Sequence, residues 1–366
     1  MDPNTTPALE PPPGEVSNLH DPYSLRVYMY ITAPVALVLS TAAVLLRVYT
    51  KARVTRSVQF EEYILMICQL GNFAFTGLMI YAVQVGQGTH QWNISIANVQ
   101  RIIELANIIE IIYCPTILGA KTAMVLQTRR FFVVSNRGKI YWLHEILLWT
   151  NVACYFALML SFICTCIPRN KLWEPTVPGR CISSSSILIA SSVLNVLSDV
   201  AMLLLPLWVV KQLQLPRKIK IMLSATFGTT VLASISSTFR LIYGVKLTHT
   251  EDFTWGIMPI GLWAVAEIAS IIIASSFPML PGFVKYVKDQ VRSGQGQSSL
   301  TRSNYNVSGQ EQGQSVVLSS TNGKRFSLKK SGDRNSYRQI HDSAGGNHNT
   351  GDITKTIRIE TKSDLA

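Results

Sequence analysis

The stretch SVLNVLSDVAMLLLPLWVVKQLQLPRKIK, residues 192–220, decides the fold class of this chain. It is an apolar run long enough to cross a bilayer, and it holds one acidic residue, Asp199, with Asn195 one helical turn earlier and Pro206 beyond it. A carboxylate at the centre of a membrane span costs about 2.5–3.5 kcal/mol on insertion scales. We therefore expect Asp199 to face a polar partner or water inside a bundle of helices.

The composition of the whole chain indicates a membrane protein rather than a soluble domain. Hydrophobic residues make up 48% of the 366 residues and charged residues only 15%, whereas soluble domains carry about 25% charged residues. The deficit lies between Tyr28 and Pro281. The formal net charge of +12 comes mostly from Lys and Arg at span ends and in the C-terminal tail. It therefore indicates membrane topology and contact with anionic lipid, and no nucleic-acid partner is expected.

Seven apolar segments reach the length of roughly 20 residues that a helix needs to cross a bilayer. The sequence predicts an all-α membrane protein, a seven-transmembrane-helix bundle, within residues 27–282. We expect residues 1–26 to be a disordered extracellular N-terminus and residues 283–366 to be a mostly disordered cytoplasmic tail. The segment GFVKYVKDQVR can form a short amphipathic helix on the inner leaflet. The predicted spans are about 27–48, 62–84, 102–126, 142–166, 183–210, 221–245 and 256–280.

The loops between these spans differ in charge, and the difference predicts the orientation. Loops 49–60, 127–141 and 211–220 contain three, four and four Lys or Arg residues, whereas loops 85–100 and 247–255 contain none and loop 168–182 contains three. Because basic loops stay in the cytoplasm, we expect the N-terminus outside and the C-terminus inside.

Three kinds of covalent modification follow from this orientation. Asn4 and Asn93 lie in glycosylation sequons on predicted outer segments. Cys166 and Cys181 flank one outer loop and form the plausible disulfide pair. Ser327 follows basic residues in the tail and is a candidate phosphorylation site, with an unmodified tail as the alternative.

Polar residues recur inside the apolar spans. In the third span, Glu110 and Lys121 lie on one helix face with Asn107 and Cys114. Eleven residues separate Glu110 from Lys121, about 16 Å along the axis, so each needs another partner. Alternatively, Lys121 can extend to the cytoplasmic headgroups.

Two further charges lie in the sixth and seventh spans, Arg240 and Glu267. Charge inside a membrane usually marks a functional site. A packed polar network without any ligand is the alternative. The candidate ligand-binding or switch residues are Asp199, Asn195, Arg240, Glu267, Glu110 and Lys121.

Other chemistries lack the residues that they require. The predicted seventh span has no Lys, which removes the attachment point that opsins use for retinal. No two His residues have helical metal-ligand spacing, and there is no phosphate-binding loop or nucleophile elbow. We therefore expect no cofactor, no metal site and no catalytic residue, and we expect that the protein is not an enzyme.

Several short motifs occur in order along the chain. They are Glu61-Glu62-Tyr63, Gly86-Gln87-Gly88-Thr89-His90, Lys121 followed by Arg129 and Arg130, Cys166-Ile167-Pro168 with Trp173 and Gly179-Arg180-Cys181, the set Asn195, Asp199 and Pro206, Arg240-Leu241, and the set Asp252, Trp255 and Glu267. With this order and spacing, residues 27–282 resemble the fungal rhodopsin-domain family of seven-helix integral membrane proteins. This family includes the satratoxin-cluster-type and Pth-type proteins.

The resemblance implies a receptor-like signalling protein of the membrane, with an unknown ligand. Coupling to a cytoplasmic G protein follows only by analogy. Some members of the family lie beside secondary-metabolism genes. The alternatives are a transporter or efflux protein that uses intramembrane carboxylates, and a membrane scaffold without a ligand. We expect a multi-pass protein surrounded by membrane lipids, in the plasma membrane rather than an internal one.

Overall fold

The computed structural model describes residues 3–132, 138–174, 176–212 and 217–296. Ser327 and the predicted disordered tail beyond residue 296 lie outside the described residues. Within the described ranges the long helices are α1 (Arg26–Tyr49), α2 (Phe60–Val85), α3 (Ile96–Phe132), α4 (Lys139–Ile163), α5 (Ser184–Gln212), α6 (Arg217–Leu247), α7 (Phe253–Ser276) and α8 (Leu280–Gly296). A π-helical turn, Thr50–Thr55, continues α1.

The helices α1 to α7 coincide with the seven predicted apolar segments. Over the described part of the chain, six helices are long and apolar enough to cross a membrane, and α6 is not among them. The prediction of an all-α membrane protein is therefore confirmed. The amphipathic segment after the seventh predicted span is helical, as α8.

Local sequence signals explain where several helices begin and end. Glu61 and Glu62 lie in the first turn of α2, where the helix dipole favours negative charge. The same helix ends at Gly86, whose φ of +131° is a conformation that glycine adopts without strain. The side chain of Asp252 caps α7 by accepting a hydrogen bond from the Trp255 backbone N–H.

The core lies where α2, α3 and α7 meet. Two glycines allow α2 and α3 to approach closely: a Cβ at Gly71 would clash with Thr116, and one at Gly119 would clash with the Cys68 sulfur. Small residues at a helix contact are typical of membrane proteins, because dispersion contacts between close backbones drive association there.

We call the end of the bundle next to residues 3–25 the outer end, following the predicted orientation, and the opposite end the inner end. Residues 3–25 pair with the loop between α2 and α3: Ala8 N donates to Ile94 O at 3.0 Å, and Asn18 N donates to Asn93 Oδ1 at 2.8 Å. This differs from the disordered segment that the composition predicts. Backbone donors and acceptors form much of this pairing, and composition carries no signal for it.

The outer loop between α4 and α5 contains a two-stranded ladder. Strands β1 (Cys166–Ile167) and β2 (Arg180–Cys181) are antiparallel, with Cys166 opposite Cys181. A disulfide joins these two cysteines, as predicted. Arg169 within the loop donates a hydrogen bond to Asn107 Oδ1 of α3 at 3.2 Å. The loop is thus tied both to itself and to the bundle.

Candidate functional site

An ion pair joins α3 to α5 in the interior of the bundle. Lys121 Nζ lies 2.6 Å from Asp199 Oδ1, and both side chains are almost completely inaccessible. Ser237 of α6 donates a hydrogen bond to Asp199 Oδ2. Asp199 therefore faces the bundle interior and has polar partners there, in agreement with the cost of leaving it among lipids.

The Asn195 amide of α5 connects this pair to α4 and α7. Its Oδ1 accepts hydrogen bonds from Lys121 Nζ at 2.5 Å and from the Tyr155 hydroxyl of α4. Its Nδ2 donates to the Tyr113 hydroxyl of α3 at 2.7 Å and to Glu267 Oε1 of α7. Tyr113 donates in turn to Glu267 Oε2 at 3.0 Å. One side chain thereby contacts polar groups from three neighbouring helices.

A second ion pair joins α3 to α6. Arg240 Nη2 donates to both carboxylate oxygens of Glu110, at 3.0 and 2.9 Å. The guanidinium carbon lies 4.0 Å from the centre of the Tyr113 ring, a cation–π contact. Tyr113 therefore links the two ion pairs. The buried Nε and Nη1 atoms of Arg240 have no hydrogen-bond partner among the described residues.

These residues form one connected set that we call the core network. It contains two cations, Lys121 and Arg240, and three carboxylates. Two of the carboxylates are in ion pairs, whereas Glu267 makes none within the described ranges and is held by hydrogen bonds instead. The members are Glu110, Tyr113, Lys121, Tyr155, Asn195, Asp199, Ser237, Arg240 and Glu267.

Helical spacing explains why each element can supply two contacts. Asn195 and Asp199 are four residues apart on α5, and Ser237 and Arg240 are three apart on α6, so each pair lies on one helix face. On α3, Tyr113 follows Glu110 by three residues. The polar groups of each helix therefore form a stripe that faces its neighbours rather than the lipid.

All six residues that the sequence singles out for an interior role lie in the core network. Glu110 and Lys121 do not pair with each other, as their separation predicts, and each has its own partner on another helix. Lys121 does not extend to the headgroups, because its side chain is fully buried.

Sequence reasoning missed Tyr113, Tyr155 and Ser237. Tyrosine and serine are common in apolar spans and carry no charge, so nothing distinguishes them locally. Tyr113 does lie three residues after Glu110, the spacing of one helix face. That spacing was the available signal, and the hydroxyl of a buried Tyr usually finds a polar partner.

A second charged cluster, the inner cluster, closes the inner end. Arg47 of α1 is fully buried and donates to Glu62 Oε2 at 3.0 Å and to Gln127 Oε1 of α3 at 2.6 Å. Arg130 lies 3.2 Å from Glu61 Oε1. The acidic pair that opens α2 therefore holds α1 and α3 together. Lys51, Arg129 and Glu145 make further ion pairs in this region.

An aromatic stack, the outer clamp, holds the opposite end. The His90 ring lies between the rings of Trp92 and Trp255, with centroid distances of 4.3 and 3.9 Å. His90 Nδ1 is 2.6 Å from Asp252 Oδ2, and Gly88 N donates to Thr254 O at 3.0 Å. The loop after α2 is thereby fixed to the start of α7.

Long apolar helices around a buried, charged interior define a multi-pass helical membrane protein. The family model for the fungal rhodopsin domain matches residues 46–286 of the chain. The chain therefore belongs to the fungal rhodopsin domain family.

Several named fungal proteins are similar to this chain. An Emericella nidulans protein named "SAT4 family membrane protein" is 32% identical over 220 residues, which is 60% of this chain and 56% of that protein. The "Fugralins biosynthesis cluster protein 2" of Gibberella zeae is 27% identical over 76% of this chain and 71% of its own length. The "Wortmanamides biosynthesis cluster protein C" of Talaromyces wortmannii is 25% identical over 73% of each chain. The match with the first of these covers little more than half of its length. No solved structure matches the chain.

Proposed function

We propose that this protein is a seven-span, receptor-like signalling protein of the plasma membrane, with its N-terminus outside and its C-terminus in the cytoplasm. In this proposal α6 also crosses the membrane, as the sixth of seven spans, and the protein carries no retinal and catalyses no reaction. One observation supports this proposal above all. The polar groups of α3, α4, α5, α6 and α7 form a single connected network through Asn195 and Tyr113.

Such a network favours discrete helix arrangements over gradual movement. Removing one partner of a buried ion pair costs about 3–5 kcal/mol, because the remaining charge stays uncompensated. If α6 moves relative to α3, the Arg240–Glu110 pair must separate or move as a unit. A ligand shifts such an equilibrium only by its difference in affinity between the two arrangements. Asp199, Arg240 and Glu267 are the proposed switch residues.

In the proposed switch, the inner cluster is the region that would contact a cytoplasmic partner. Arg129 is paired with Glu145 of α4, and Arg130 with Glu61 of α2. In this arrangement both arginines are engaged within the bundle. A rearrangement that breaks these pairs would release two cations towards a cytoplasmic partner. A G protein is the analogous partner in other seven-helix receptors.

The names of the relatives support a place in secondary metabolism. Two similar proteins are named for biosynthesis clusters, of fugralins and of wortmanamides. We propose that this chain responds to a small molecule of such a pathway in its own host, without identifying the molecule.

Helix movement in variants of the Lys121–Asp199 pair tests the switch. Spin labels on non-canonical amino acids are placed at Phe60, 72% exposed on α2, and at Gly228 of α6, where an added Cβ meets no atom within 4 Å. The neutral double variant Lys121→Met/Asp199→Asn is expected to show a second or broadened distance population in electron–electron double resonance.

The control is Arg101→Gln, which removes one exposed charge from α3 and is expected to leave the distances unchanged. If the neutral double variant is folded and its distance distribution equals that of the wild type, the network serves only as a scaffold.

Transport is the second candidate, and the extra carboxylate favours it. Glu267 is buried, lies within α7 and has no cation paired with it in the described part of the chain. Such a group can carry a proton or bind a cation. Proteoliposomes containing a pH-sensitive dye test this candidate. Proton flux above that of protein-free vesicles, lost in Glu267→Gln and kept in Glu104→Gln, would favour transport over signalling; Glu104 is a half-buried carboxylate of α3 outside the core network.

A further inference from the structure

A cavity of about 330 Å³ opens beside the outer clamp, between the ends of α6 and α7. Its volume lies at the lower end of the range of about 300–1,000 Å³ that is usual for small-molecule sites. Its walls are largely aromatic and apolar, formed by Trp92, Tyr243, Leu247, Trp255 and Pro259. The occupant should therefore have a flat or compact apolar body.

The charges around the cavity indicate the second property of the occupant. Lys246 lines the cavity, is exposed, and makes no ion pair within the described ranges; its ammonium group lies 5.4 Å from the centre of the Tyr243 ring. The buried Trp92 Nε1–H also lacks a hydrogen-bond partner there. The Lys246 ammonium is thus a cationic donor at the cavity without a matching carboxylate within the described ranges.

The one carboxylate in the lining is already engaged. Asp252 Oδ2 contacts His90 Nδ1 at 2.6 Å, and Asp252 Oδ1 accepts from the backbone N–H groups of Gln91 and Trp255 at 3.0 and 3.4 Å. Its negative charge is therefore partly compensated by its neighbours. A ligand cation would have to compete with these contacts, whereas a ligand anion meets the unpaired Lys246.

We infer that this cavity binds a small apolar molecule that carries one carboxylate, with Lys246 as its charge partner. The inference deepens the proposed function, on which it rests, by naming the ligand class. The position of the cavity suits that role. Tyr243 precedes Lys246 by three residues and follows Arg240 of the core network by three residues on α6. A molecule that displaces Tyr243 would therefore act one turn away from the Arg240–Glu110 pair.

The test uses the full chain in nanodiscs with a matched pair of probes. Tritiated 2-naphthylacetate supplies the carboxylate, and 2-naphthylacetamide has the same ring system without the charge. Direct binding of the acid and competition by the amide give the two affinities. We expect the wild type to bind the acid at least roughly tenfold more tightly than the amide, because charge-assisted hydrogen bonds are the stronger class.

Three variants complete the design. Lys246→Met keeps the length of the side chain and should remove the preference for the acid, with little effect on the amide. Lys246→Arg should retain the preference. Lys171→Met removes a charge from another outer loop, where Lys171 is half-buried and donates to Gly179 O, and should bind as the wild type does. Since Lys246 is exposed, these variants should fold normally, which size-exclusion chromatography checks.

Three results would overturn the inference. They are no binding of 2-naphthylacetate up to a concentration on the order of 1 mM, equal affinity of the wild type for acid and amide, and an unchanged preference in Lys246→Met. None of these results bears on the distance measurement between α2 and α6. Conversely, specific binding of the acid without any change in that distance would count against the receptor-like function and leave the binding site standing.

Discussion

Breaking the Lys121–Asp199 pair should be among the most destabilising conservative changes in this protein. The two charged atoms are 2.6 Å apart and neither side chain is more than 1% exposed. Asp199→Asn keeps the shape of the side chain but leaves the Lys121 ammonium buried without its counter-charge. The expected loss is about 3–5 kcal/mol of unfolding free energy. The double variant Lys121→Met/Asp199→Asn removes both charges, so it should lose less than the sum of the single variants, with a coupling energy of about 0.5–3 kcal/mol.

The measurement is unfolding by sodium dodecyl sulfate in mixed micelles, followed by circular dichroism. Arg101 and Glu104 provide a matched control, because their charged atoms are also 2.6 Å apart on α3 but lie at an exposed site. Solvent screens exposed pairs, so Arg101→Gln should unfold as the wild type does. The reasoning is refuted if Asp199→Asn is no more destabilising than Arg101→Gln, or if the effects of Lys121→Met and Asp199→Asn simply add.

Three further predictions concern other parts of the chain. Gly119→Ala should cost about 1–3 kcal/mol of unfolding free energy because its Cβ would clash with the Cys68 sulfur. The control Gly77→Ala should be neutral or stabilising, because a Cβ there meets no atom within 4 Å. Equal effects of the two changes in the same unfolding assay would contradict the close contact of α2 and α3. Asn93→Gln should reduce a glycosidase-sensitive shift in gel mobility, and Asn4→Gln/Asn93→Gln should abolish it, because both sequons are predicted to be outside. An inserted wild-type chain without glycan at Asn93 would count against the predicted orientation. Asp252→Ala should cost about 0.5–2 kcal/mol of unfolding free energy through loss of the α7 cap. Asp252→Asn should cost clearly less, since Asn is also a good N-cap residue. A similar loss of stability for both variants would show that the cap is unimportant.

Much of the helical architecture follows from hydrophobic runs alone. The sequence alone assigns Asp199 to the interior of the bundle, because a carboxylate that faces lipid has a high free energy. Helical periodicity likewise places Glu110 and Lys121 on one face of α3, and their distance along the axis is too great for an ion pair. These conclusions need only the geometry of a single helix, which sequence spacing determines.

The identity of the partners needs information that one helix does not contain. Whether Lys121 meets Asp199 or another carboxylate depends on how α3 and α5 are rotated against each other. The close contact at Gly119 involves α2 rather than α5, so it does not determine that rotation. Likewise, the role of Tyr155 depends on where α4 packs, and no charge marks it beforehand. Residues 3–25 are a different case, since hydrogen bonds of the backbone cannot be inferred from composition.

Asn195 carries a restriction on sequence change that its neighbours do not share. A side-chain amide has two N–H donors and an oxygen with two lone pairs, and here all four positions are occupied, by Tyr113, Glu267, Lys121 and Tyr155. Aspartate would replace both N–H donors by a negative charge beside Glu267. Leucine would leave all four partner groups without their hydrogen bond to residue 195. Glutamine would shift the amide by one methylene. None of the other nineteen amino acids can donate two and accept two hydrogen bonds in this geometry. Position 195 should therefore tolerate no replacement by itself. A substitution there would require compensating changes among its partners on α3, α4 and α7.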